Sequence, residues 1–85
     1  MSESVDDMVV DSREAFGHFL GLLRQDLQTT PEKWENVLLV DYLDAMQAYA
    51  RDIQEHYDNA GQSLNADKPS WQTFADILRG ASIYE

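Results

Sequence analysis

His18 and His56 are the only side chains of this sequence that ordinarily exchange a proton near neutral pH. Asp52 and His56 stand one helical turn apart, a spacing that two metal ligands or an acid–base pair can use. A metal site needs a third ligand, which here would have to be His18 or a distant carboxylate, and no HExxH-type pattern supplies one. Asp41 and Asp44 could do general acid–base work only if one of them were buried enough to raise its pKa. Both fall on the polar side of their segment. Ser12, Ser63 and Ser70 lack the strand–turn–helix setting of a nucleophile elbow. Gly17, Gly21, Gly61 and Gly80 are dispersed, with no Gly-Lys-Ser/Thr to cradle phosphate. Asp58-Asn59-Ala60-Gly61 lacks the spaced acids and closing glutamate of a calcium loop. Cysteine is absent, so thiolate, disulfide and Cys-zinc chemistry are excluded. The expectation is a protein that is not an enzyme and carries no metal or cofactor.

Binding is the chemistry these residues favour. Acids number 16 against 6 bases, a formal charge of -10. Residues 37–58 hold Asp41, Asp44, Asp52, Glu55 and Asp58 against Arg51 alone. Asp41 and Asp44 stand three apart, as do Asp52 and Glu55, and like charges at that spacing cost a helix a few tenths of a kcal/mol per pair. An acidic face of this kind steers a basic partner and raises its association rate. The plain alternative is a solvated surface that keeps a small protein soluble. Tyr57, Trp71 and Tyr84 join the candidate partner-binding set, because Tyr and Trp are the usual anchors of interfaces.

The same charge excludes other partners. Nucleic acid is bound by Lys and Arg that displace phosphate counterions, and an anionic membrane surface makes a similar demand. Val37-Leu38-Leu39-Val40 is the longest aliphatic run, far short of the ~20 residues of a membrane span. The acidic start shows no signal peptide, so the expected location is the cytoplasm.

These residues must be positioned by helices. Phe16, Phe19, Leu20, Leu23 and Leu27 lie in steps that predict a helix over about 12–28, opened by Asp11 as cap with Glu14 closing a capping box. Thr30-Pro31 breaks it and starts a short extra helical turn near residues 31–35. Leu39, Leu43, Met46, Ala50, Ile53 and Tyr57 form a heptad-like seam that predicts a core-facing second helix over 37–58, with Asn36 as its cap and Asn59-Ala60-Gly61 as its end. After a loop, Ser70 caps a third helix striped by Trp71, Phe74, Leu78 and Ala81. Trp34 and Trp71 are expected to anchor the core, with Glu35, Asn36 or a loop carbonyl accepting from the indoles. The predicted fold is all-α: a small antiparallel three-helix bundle over 11–85, preceded by a flexible acidic tail at 1–10.

Trp34-Glu35-Asn36, Tyr42-Leu43-Asp44-Ala45-Met46 and the tail Pro69-Ser70-Trp71-x-x-Phe74-Ala75-x-x-Leu78-x-x-Ala81-x-x-Tyr84-Glu85 resemble a bacterial family of short acidic proteins of unknown function. The likeness runs from about residue 10 to 85. It implies a bacterial, cytoplasmic helical domain and carries over no catalytic or binding residue. Glu85, unfavourable at a helix C-terminus, is expected to pair with Arg13 or Arg24. The functional expectation is a protein-binding module whose acidic helix-two face docks a basic protein, an immunity-like inhibitor being one version. The alternative is a homodimer subunit with no separate ligand, and a metal-dependent or acid–base enzyme ranks third.

Overall fold

The computed structural model describes residues 5, 6 and 8–84. Glu85 and its expected ion pair lie outside the described residues. Helix α1 spans Arg13–Thr29, a 3-10 turn spans Pro31–Lys33, α2 spans Leu39–Asn59 and α3 spans Trp71–Ile83. This is the small helical bundle that the apolar periodicity predicts. α3 is its centre. It packs against both α1 and α2, while α1 and α2 make no comparable contact with each other.

The ends of the helices follow local chemistry, with two corrections. Ser12, not Asp11, caps α1, its Oγ accepting from Ala15 N–H at 3.0 Å. With the start at Arg13, Glu14 is too early in the helix to close a capping box. Ser70 caps α3, accepting from Thr73 N–H at 3.0 Å. α2 has no side-chain cap, because Leu38 holds the cap position. Asn36 acts elsewhere: its Nδ2 donates to the carbonyls of Ala81 (3.0 Å) and Tyr84 (2.7 Å), and its backbone N–H joins that of Glu35 on the Ser82 carbonyl. The Trp-Glu-Asn segment thus closes the end of α3, where the last carbonyls have no partner within the helix. Gly61, at φ 72°, takes the left-handed position after α2 that a side chain resists.

The seam of α2 is the larger correction. Ile53 and Tyr57 are buried, but Leu39 is 72% exposed and Leu43 52%. The buried line runs instead through Ala45 and Ile53, with half-buried Tyr42 and Tyr49 beside it. α1 packs on α3 and makes no comparable contact with α2, so the first half of the seam is left largely exposed. On the α1 side the core is Val5, Val10, Phe19, Leu23 and Ala75. Val5, Asp6 and Val10, assigned from sequence to a tail, lie on this body. Val10 is 1% exposed, its N–H donates to Gln72 Oε1 at 2.7 Å, and Asp6 pairs with Arg79. The acidic character of the segment hides Val5, which helps to bury it.

Candidate functional site

Asp26 is the polar centre of the α1 side. Its Oδ2 accepts from Trp34 Nε1 at 2.8 Å and from Arg79 Nη1 at 3.0 Å, and its Oδ1 accepts from Thr30 Oγ at 3.2 Å. Arg79 extends the link to Asp6. The Trp34 partner is therefore Asp26, eight residues back, rather than a neighbour in sequence. Burial would raise the Asp26 pKa, but the Trp34, Arg79 and Thr30 donors outweigh it and hold the carboxyl below its ordinary value.

A ring cluster lies between α2 and α3. Tyr49 stacks on His56 at 4.7 Å, and Tyr84 meets both rings edge-on at 5.2 and 5.7 Å. The Tyr84 hydroxyl donates to Asp52. That bond and Arg51 hold Asp52 below its ordinary pKa, and the same bond to Asp52 raises that of Tyr84. His56 is thus packed as a ring. Among the described residues no group of three or more His, Asp or Glu is placed to hold a metal ion.

The candidate partner-binding residues divide. Asp41, Asp44 and Glu55 are exposed on α2, and no Lys or Arg pairs with them among the described residues. Asp44 joins Glu35 and Tyr84 around a surface pocket of about 520 Å³, with Ala45 and Ala48 as part of its wall. Asp52 sits beside it through the Tyr84 bond. Glu35 escaped the sequence reading because it reaches this pocket only when Asn36 docks on α3. Trp71 is 37% exposed but stands apart, against Phe16 at 5.4 Å and Phe74 at 6.0 Å. Tyr57 leaves the set. It is 5% exposed and its hydroxyl donates to Asp76 at 2.7 Å, so it offers no ring to a partner.

Buried phenols give a titration prediction. Burial pushes Tyr42 up to about 12, and burial with the Asp76 carboxylate pushes Tyr57 up to about 12. A raised phenol pKa disfavours the charged form in the fold. Its stabilisation is present below pH 10 and is lost as pH rises from about 10 to about 12. In an absorbance titration, at most two of the four tyrosines are expected to ionise while the helical circular dichroism signal stays native. Ionisation of three or four in the folded protein would contradict the packing of Tyr42 and Tyr57.

A second surface opens where α1 fails to cover α2. Leu43, Met46, Gln47 and Ala50 of α2 with Phe74, Ile77 and Leu78 of α3 line an open depression of about 450 Å³. No charged side chain lines it. No helix of the described residues is long and apolar enough to cross a membrane. No curated protein and no solved structure matches the chain. A family does match, over the helical body from the α1 cap onward. Residues 12–85 match the family of unknown function DUF7660, and the chain belongs to it.

Proposed function

We propose that this chain is a small protein-binding module of the bacterial cytoplasm that docks a basic protein on the acidic side of α2. One observation carries the reading: Asp41, Asp44 and Glu55 stand exposed on a packed helix and form no ion pair with a Lys or Arg among the described residues, next to the pocket lined by Glu35, Asp44 and Tyr84. Asp6 and Asp26, by contrast, are paired with Arg79. A long cationic side chain of the partner fits such a pocket, its stem against Ala45, Ala48 and the Tyr84 ring. Clustered charge of one sign speeds encounter with the opposite sign. Inhibition of a basic enzyme is one form this docking takes.

The test is capture from native extract on the tagged chain, beside a bait carrying Asp41→Lys, Asp44→Lys and Glu55→Lys. A basic protein is expected on the native bait and absent from the reversed one. Equal capture by both would remove the acidic side from the account.

A further inference from the structure

We propose that the groove which α1 forms with the link to α2 and its first turn binds a small amphipathic carboxylate, an apolar chain of roughly eight to twelve carbons ending in one anionic group. Leu20, Leu23 and Leu27 of α1 supply apolar lining at helical spacing, and Val37 and Leu39 add to it. The rings of Trp34 and Tyr42, 5.7 Å apart, complete it. The groove holds about 320 Å³, at the lower end of the volumes of small-molecule sites. Leu20 is 42% exposed and Val37 50%, so the lining is open to a ligand.

Charge selects the occupant. The one charged side chain in the lining is Arg24, in a chain of 16 acids and only 6 bases. The Arg24 guanidinium is exposed and forms no ion pair among the described residues. Its helix neighbours three and four residues away are Leu20, Gly21, Leu27 and Gln28, so α1 offers it no carboxylate. The other side-chain donors of the groove are engaged within the fold. Trp34 donates to Asp26, Tyr42 to the Leu78 carbonyl at 2.7 Å, and Asn36 to the carbonyls of Ala81 and Tyr84. What remains for a ligand is apolar surface and one guanidinium, which a carboxylate meets with two parallel hydrogen bonds. The charge of -10 selects the size. An acidic protein or an anionic membrane is repelled by the whole chain, whereas a monoanion bears the least repulsion and keeps the contact to Arg24.

Trp34 reports on the groove, and in a Trp71→Phe chain it is the only tryptophan. Decanoate, titrated below its micelle concentration, is expected to shift its emission saturably. In the natural chain the backbone amide NMR shifts should centre on residues 20–27 and 34–42. Decanoate is expected to bind more tightly than decyltrimethylammonium, against the net charge of the chain. Arg24→Gln is expected to weaken decanoate about tenfold or more, to leave decanol unchanged, and to keep the native thermal midpoint. No saturable shift, equal decanoate affinity in Arg24→Gln, or tighter binding of decyltrimethylammonium would each overturn the proposal. So would amide shifts centred on Leu43, Met46 and Phe74 of the uncharged depression, or association with phosphatidylglycerol vesicles in place of decanoate. Arg24→Gln leaves Asp41, Asp44 and Glu55 intact, so this site and the docking of a basic protein fail separately.

Discussion

Asp26→Ala is expected to cost the fold about 2–4 kcal/mol, by stranding the Trp34 indole N–H and removing one of the two carboxylates on Arg79. A domain of this size has a total stability of only ~4–13 kcal/mol. The thermal midpoint should therefore fall by roughly 10–20 °C. Asp26 is the point where α1, the turn after it and α3 are tied together. Asp26→Asn keeps an acceptor for the indole but loses the charge, and a smaller loss is expected. Acid supplies a control. The Asp26 carboxyl titrates below its ordinary value of 3.8 in the fold, so its contribution is present above that value and lost as pH falls through the depressed one. The gap between wild type and Asp26→Asn should be full at neutral pH and should close in acid. A gap that stays constant down to about pH 2 would show that the charge of Asp26 does not stabilise the fold.

Gly80→Ala should also destabilise, against helix propensity. A Cβ at residue 80 would overlap Cζ and both Cε atoms of the Tyr49 ring. The ring cannot move aside easily, because His56 stacks on it and Tyr84 meets its edge. Overpacking of this kind costs about 1–3 kcal/mol, more than the roughly 1 kcal/mol that alanine gains in a helix. Gly17→Ala and Gly21→Ala are the opposite case. Nothing lies within 4 Å of a Cβ at either position, so each should stabilise α1 by up to about 1 kcal/mol. Chemical denaturation of the three variants checks the signs, and a stabilised Gly80→Ala would mean that Tyr49 does not pack as described.

The helices were legible in the sequence because their signals are local. Ser70 caps α3 through a neighbour three residues on, and Gly61 takes a backbone angle that depends on residue type. What escaped depends on where one helix lies relative to another. The seam 39-43-46-50-53-57 marks a face that can be buried, but periodicity does not say which helix covers it. Since α1 packs on α3 and makes no comparable contact with α2, Leu39 and Leu43 remain largely exposed while Tyr57, on the same seam, is enclosed by α3. Asn36 looked like a cap for the helix that follows it, and its partners are 45 and 48 residues away. Val5 was hidden in an acidic stretch. Asp41, Asp44, Asp52 and Glu55 were legible as one face because a single helix carries them all. Glu35 joins them only through the docking of Asn36.

The central claim is that the free carboxylates of α2 recruit a basic protein. Its most direct measurement is the association rate of the captured protein with the native chain and with the chain carrying Asp41→Lys, Asp44→Lys and Glu55→Lys, from low to high salt. The native rate is expected to fall about tenfold or more as salt rises, and the reversed chain is expected to start slow and change little. Equal rates for the two chains, or a native rate indifferent to salt, would contradict the claim.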